Sequence, residues 1–286
     1  MRIVTLAKSG EEVSAIRTAG GYVTLRDIRM HGGGDWPDHL ATILSEGRYD
    51  DLRDWYEEGG GRSFVEGLTA LPEDAAEYAP LYRNPSKIWG IGMNYGDKPP
   101  LANSLSPDEE PVGFMKPTTA LCGMQEAIKL PEEAGTITAE AELAIVIGRK
   151  CRNVGEAEAP SCVAGFAAVL DVTAADIHSR NPRFLTRAKS YDTFFGFGPE
   201  LVSPDEIPDI LELEVSTVLN GVTVHRNRVV NMRYRPWYAV AFHSRFMTLL
   251  PGDILMTGTP GAVVIRSGDR ADCRIEGFLP LSQRVI

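Results

Sequence analysis

Apolar and polar residues alternate and then merge into a continuous apolar run along Ile137-Thr-Ala-Glu-Ala-Glu-Leu-Ala-Ile-Val-Ile-Gly148. The alternation and the β-rich run Leu143 to Ile147 predict a strand. A second apolar run, from Gly165 to Leu170, predicts a buried strand that closes on Asp171, after a helix-like segment from Glu156 to Ala164. Further on, Leu211 to Leu219 and Val222 to His225 predict two strands joined at Asn220-Gly221, a two-residue hairpin signal. Trp237 to Leu250 has helical spacing, with Trp237, Val240, Ala241, Ser244, Met247 and Thr248 along one side, which predicts a helix packed on the sheets. Lys87 to Lys98 reads as a strand running into a loop.

The N-terminal part has a different texture. Arg2 to Leu6, Ser14 to Arg17 and Tyr22 to Arg26 predict short strands broken by glycine turns, followed by a helix from near Pro37 through Leu44. Gly59-Gly-Gly61 and Pro72-Glu-Asp mark a turn-rich passage, and Pro80 and Pro85 mark a boundary. The chain therefore divides into a small N-terminal α/β module, 1–79, and a mainly β domain, 80–286. Gly32 to Gly34 lack the strand, helix and Gly-Lys-Ser/Thr context of a phosphate loop. Gly90-Ile-Gly92 lacks the third glycine and the helix of a dinucleotide fingerprint.

The chain of 286 residues is 43% hydrophobic and 24% charged, as expected of a globular protein. Its formal charge of −10 argues against a general grip on nucleic acid or an anionic membrane. An anionic substrate then needs a local cationic site. Cys122, Cys151, Cys162 and Cys273 form no Cys-x-x-Cys pair and fall in or near apolar strands, which fits reduced thiols and a cytoplasmic chain. No apolar run reaches the ~18 residues of a membrane span.

Within the strand from Ile137, Glu140 and Glu142 project to the same face at about 7 Å between Cα atoms. Two like charges that close call for a cation between them. Hard oxygen donors without nearby Cys or His favour Mg²⁺, with Mn²⁺ and Ca²⁺ as the other choices. Taken alone, a Glu-x-Glu on a strand more commonly lies on a solvated face.

The ordered set Glu140-Ala-Glu142-Leu, strand-Asp171, Lys189-Ser-Tyr-Asp, Asn220-Gly221, Pro251-Gly-Asp and Thr257-Gly-Thr-Pro260 resembles the fumarylacetoacetate hydrolase family over about Lys87 to Ile286. The resemblance implies an α+β, mainly β fold, a layered β-sandwich roll with a few helices. It also implies a homodimer, Mg²⁺ or Mn²⁺ ligated by Glu140, Glu142 and Asp171, and Lys189 as the cation beside the substrate. Tyr95 of the Asn-Tyr motif and Gly258 and Thr259 of the Thr-Gly-Thr-Pro loop fall at substrate-binding positions. Lys116, in Gly113-Phe-Met-Lys-Pro, either faces the pocket as a substrate contact or pairs with an acid.

Two departures from the family pattern concern the base. Where relatives carry a lid histidine, this chain has Lys98, followed by Pro99-Pro100. Lysine accepts a proton only after strong desolvation. Where many members have Ala-Arg-Asp-Ile-Gln, this chain has Ala174-Ala175-Asp176-Ile177-His178, so an arginine is lost and a histidine stands in place of an amide. Imidazole is the side chain best suited to accept a proton at neutral pH, so His178 is the substitute base expected here. His225 and His243 are expected to be structural. The implied activity is metal-dependent processing of a 2-oxo or 2,4-dioxo carboxylic acid through a metal-stabilised enolate. Carbon–carbon hydrolysis comes first, isomerisation or decarboxylation of a 2-oxo dicarboxylic acid is the alternative, and a non-catalytic small-acid binder is the third reading.

Overall fold

The computed structural model describes residues 1–8, 10–96 and 109–286, so Lys98, one of the expected catalytic residues, lies outside the described residues. The chain opens with β1 (Arg2–Lys8), β2 (Glu11–Thr18) and β3 (Gly21–Thr24), then α1 (Leu25–Met30), α2 (Leu40–Ser45), α3 (Tyr49–Glu57) and α4 (Gly61–Glu66). The expected strand over Tyr22 to Arg26 stops at Thr24, whose hydroxyl accepts from Asp27 N and starts α1 instead. Strands then dominate: β4 (Ile88–Gly92), β5 (Val112–Lys116), β6 (Leu121–Cys122), β7 (Ile137–Ile147) and β8 (Val163–Ala174). After α5 (Ala175–Arg180) and α6 (Leu185–Ala188) come β9 (Phe195–Phe197), β10 (Glu200–Val202), β11 (Glu214–Leu219) and β12 (Val222–Arg228). The chain ends with α7 (Pro236–Phe246), β13 (Ile254–Met256), β14 (Ala262–Ile265), β15 (Arg270–Ile275) and β16 (Leu281–Arg284).

Among the described residues these strands form two sheets, the mainly β architecture expected. The larger runs β3-β2-β1-β10-β8-β7-β13-β4-β5, and β14, β6 and β9 attach beside it; the smaller runs β12-β11-β15-β16. β1 pairs antiparallel with β10, so the N-terminal strands continue the main sheet. At its centre β8 is buried along its whole length, as its unbroken apolar sequence requires. Three further local expectations change. Ala159–Cys162 is a short 3-10 turn and Val163 already pairs with Ile147, because the sheet claims the residues that resembled a helix. Ile210–Glu212 is likewise a 3-10 turn, capped by the Asp209 carboxylate, and the strand begins at Glu214. The last helix stops at Phe246, since Leu249 forms a bridge with Cys151. The hairpin at Asn220-Gly221 has the positive φ angles, 51° and 82°, that its sequence predicts. His243 is buried among Trp89, Phe242 and Phe246, with Nδ1 2.6 Å from the Ala239 carbonyl, a structural role as expected.

One break in the main sheet positions everything that follows. β13 pairs with β7 over residues 144–146 and β14 pairs with it over residues 137–140. Residues 141–143 of β7 therefore lack a strand partner on that side. Their main-chain groups are satisfied otherwise: Ala141 N donates to Thr217 Oγ1 at 3.2 Å, and the Leu143 carbonyl accepts from Thr257 N and Thr257 Oγ1 at 3.1 and 2.7 Å. Thr217, on β11 of the smaller sheet, also donates to the Gly261 carbonyl at 2.9 Å, so one hydroxyl ties the two sheets together. Thr217→Val, which keeps the shape, is expected to lower stability by about 1–3 kcal/mol because it strands the buried Ala141 N–H. An unchanged urea midpoint and slope would refute this.

Candidate active site

The register of β7 on β8 puts Glu140 directly opposite Asp171. Side chains opposite one another share a face, as do i and i+2 neighbours along a strand. Glu140, Glu142, Asp171 and Thr173 thus converge, and the bend after α6 delivers Lys189 among them. The Lys189 ammonium donates to Glu140 Oε2 at 2.9 Å, to Thr173 Oγ1 at 2.8 Å and to Asp171 Oδ2. It also stands 4.6 Å from the centre of the Phe114 ring. Burial works against its charge, but Asp171 and Glu140 outweigh that and hold it above the ordinary lysine range.

Lys116 approaches from the other side of Asp171. Its ammonium is fully enclosed, 2.7 Å from Asp171 Oδ1, and donates to the carbonyls of Val172, Lys189 and Phe194 at 3.0, 2.7 and 2.7 Å. All three of its hydrogens are therefore taken by the main chain. Of the two roles expected of Lys116, pairing with an acid is the one its contacts show. Burial first, and then the nearby Lys189, pull its pKa down to about 8 against the opposing pull of Asp171. Asp171 Oδ1 is left with charge compensation but no hydrogen bond.

Glu142 lies deepest, in the break of the sheet. Its Oε2 accepts from Gly258 N at 2.6 Å. Burial, and then the negative charges of Asp171 and Glu140, push its pKa well above the usual carboxylate range. Gly258 has a φ of +93°, and a Cβ there would lie 2.8 Å from Asn94 Cβ, so the loop needs glycine to bring this amide onto the carboxylate. Asn94, fully buried, pins the same place: its amide donates to the carbonyls of Thr257 and Tyr234 at 2.6 and 2.9 Å, and its oxygen accepts from Tyr234 N at 2.8 Å. The Tyr95 hydroxyl is buried near Glu142 without a hydrogen-bond partner among the described residues, and burial together with that carboxylate raises its pKa. Thr259 Oγ1 stays within its own turn, donating to the Gly261 carbonyl at 3.2 Å.

Of the expected residues, Glu140, Asp171 and Lys189 are brought into direct contact, with Glu142, Tyr95 and Gly258 beside them. His178 sits half-buried on α5 and makes no hydrogen bond or ion pair with the cluster. Thr173 and Asn94 were missed as site residues. Thr173 carries the same i+2 signal from Asp171 that singled out Glu142 from Glu140.

The chemistry of the donor set fits a hard cation. Three carboxylates face two ammonium groups in a buried space, one carboxylate oxygen lacks a hydrogen bond among the described residues, and burial, with the neighbouring negative charges adding to it, raises Glu142. As the side chains stand, no three acidic, His or Cys groups among the described residues close on one point, because Glu140 and Asp171 are turned onto Lys189. A cavity of about 530 Å³ lies elsewhere, against Leu6, Tyr22 and Leu71.

A family model described as fumarylacetoacetate (FAA) hydrolase C-terminal matches residues 87–286, the span that holds every residue of this cluster, and the chain belongs to that family of enzymes. A mitochondrial oxaloacetate tautomerase of Rattus norvegicus is 32% identical over 233 residues, 79% of this chain and 74% of the relative. The structure of 5-carboxymethyl-2-hydroxymuconate delta-isomerase from Mycobacterium smegmatis matches all of this chain and 98% of that one, with a TM-score of 0.78 at 28% identity. Maleylpyruvate hydrolase from Sphingobium sp. SYK-6, solved with manganese(II) and pyruvate, matches all of this chain and 99% of that one, with a TM-score of 0.81 at 25% identity.

Lys116→Met is expected to cost about 3–5 kcal/mol of stability, since it leaves Asp171 and three buried carbonyls without their partner. Denaturant unfolding measures this, and a loss below about 1 kcal/mol would show that Lys116 is not the brace described.

Proposed function

We propose that this enzyme processes 2-oxo or 2,4-dioxo carboxylic acids with one divalent cation, Mg²⁺ or Mn²⁺, held by Glu140, Glu142 and Asp171, and that its principal reaction is carbon–carbon hydrolysis. The observation that carries the reading is the excess of buried carboxylate over ammonium, with Glu142 held by a single amide. A cation bound there supplies Lewis-acid polarisation of the 2-oxo acid. The chain's own residues do the rest. Lys189 is the cluster's one ammonium bound to side chains alone, so it can turn toward negative charge as that charge develops on the substrate. The Gly258 amide fixes Glu142, and the unpartnered Tyr95 hydroxyl offers a donor beside it. His178, on α5 just past the end of β8, is proposed as the base.

Isomerisation or decarboxylation of a 2-oxo dicarboxylic acid is the second reading. Lys98 in place of a histidine favours it, since lysine is a poor water-activating base at neutral pH, and two of the relatives are named as a tautomerase and an isomerase. A homodimer belongs to the same proposal, supported by the exposed Phe246 ring of α7 beside the half-buried Trp89.

Product analysis with Mg²⁺ or Mn²⁺ on a panel of acylpyruvates, oxaloacetate and 2-oxo-enoic diacids separates the readings. Cleavage to pyruvate and a second acid supports hydrolysis; CO₂ or a shifted double bond supports the alternative; no turnover of any member contradicts both. Lys189→Ala is expected to lower kcat by about 100-fold or more while leaving KM within a few-fold, as for a group that acts on developing charge. An unchanged kcat removes Lys189 from the mechanism.

A further inference from the structure

We propose that His225, in the edge strand β12, is a specificity-determining residue whose imidazole N–H binds the distal carboxylate of a 2-oxo dicarboxylic acid. The inference rests on the function proposed above and adds a residue to the same site. Four observations place the ring at its mouth.

First, His225 lies opposite Thr217 in the β11–β12 register. Directly opposed side chains share a face, and Thr217 faces the break in the main sheet, contacting Ala141 N and the Gly261 carbonyl. Ala141 stands between Glu140 and Glu142. Second, the register shifts between Thr217 and Val218, immediately beside this pair. Such a bulge re-aims neighbouring side chains. Third, the imidazole lies flat on Gly261: a Cβ there would be 2.5 Å from His225 Cγ and 2.7 Å from Nδ1. Gly261 closes the Thr257-to-Gly261 loop around Glu142, and the next residue, Ala262, pairs with Glu140. Fourth, Asn227, two residues along the same face, donates to the Gly96 carbonyl at 3.0 Å, so β12 spans from one wall of the opening to the other.

Asn227 Oδ1 accepts from Asn231 Nδ2 at 2.6 Å, and Thr217 and Thr259 are engaged with Gly261. His225 is half-buried, and its ring makes no hydrogen bond or ion pair among the described residues. The carboxylate and keto oxygens of a 2-oxo acid are claimed by the carboxylate–lysine cluster, so the end of the substrate that meets His225 is the distal one. An imidazole donor there favours an oxygen acceptor, and an anionic one most, whereas an apolar tail leaves the donor unpaired.

The test uses the full chain loaded with Mn²⁺ and matched stable ligands, read by titration calorimetry: 2-oxoglutarate against 2-oxopentanoate, and 2-oxoadipate against 2-oxohexanoate. The wild type is expected to favour the dicarboxylate of at least one pair. In His225→Phe, which keeps a ring over Gly261, that preference is expected to fall about tenfold with the monocarboxylate Kd unchanged. His225→Gln, which restores a donor, is expected to recover most of it. A preference that is absent in the wild type, or the same in His225→Phe, overturns the assignment of His225 and leaves the proposed function standing. A wild type that binds none of the four acids overturns the proposed function itself, and this inference with it.

Discussion

Asp171 is held from both sides by ammonium groups, Lys116 at one oxygen and Lys189 at the other, inside a core that excludes water. Such an arrangement is worth little as a source of stability, because the desolvation of three charges offsets most of their attraction. Its consequence is positional. Lys116 spends its hydrogens on the carbonyls of Val172, Lys189 and Phe194, and so fixes the strand end, the bend that carries Lys189 and the turn into β9 around a single carboxylate. Lys189 then aligns Glu140 and Thr173. What remains unbalanced is Glu142, and that imbalance is the physical basis for a cation at this site.

The sheet topology explains why the imbalance sits where a substrate can reach it. A central strand with partners along its whole length would bury Glu142 under a neighbour. Here β13 and β14 leave residues 141–143 of β7 open, and the loop between them wraps the opening, giving its Gly258 amide to Glu142 and its Thr257 hydroxyl to Leu143. The smaller sheet closes the other side through Thr217, His225 and Asn227. The 257–258 turn meets Glu142 and Asn94, each more than a hundred residues away in sequence, because a strand was interrupted.

The sequence made the strands legible wherever their apolar pattern was strong, as in β7, β8 and the Asn220-Gly221 hairpin. It failed where tertiary pairing overrode local preference, as at Ala159–Cys162 and Ile210–Glu212. The cluster was readable because its residues announce themselves: two acids at strand spacing, an acid at the end of a buried strand, and a lysine in a motif whose order matched a family. Thr173, Asn94, Thr217 and His225 were not readable as site residues. Their roles come from cross-strand register and main-chain contacts, and a threonine or asparagine in a strand or loop looks the same whether it braces a site or faces water. Lys116 shows the same limit, since only the fold decides between a pocket and three carbonyls.

Cation binding tests the account most directly. Calorimetric titration of the metal-free protein with Mn²⁺ at neutral pH, repeated in buffers of different ionisation enthalpy, reads both stoichiometry and proton release. The account predicts one ion per chain, with proton release that grows as the pH is lowered, because burial together with Asp171 and Glu140 shifts Glu142 toward its protonated form. Glu142→Gln should weaken binding and abolish that release. Absence of binding, or binding that Glu140→Gln, Glu142→Gln and Asp171→Asn leave unchanged, would contradict it.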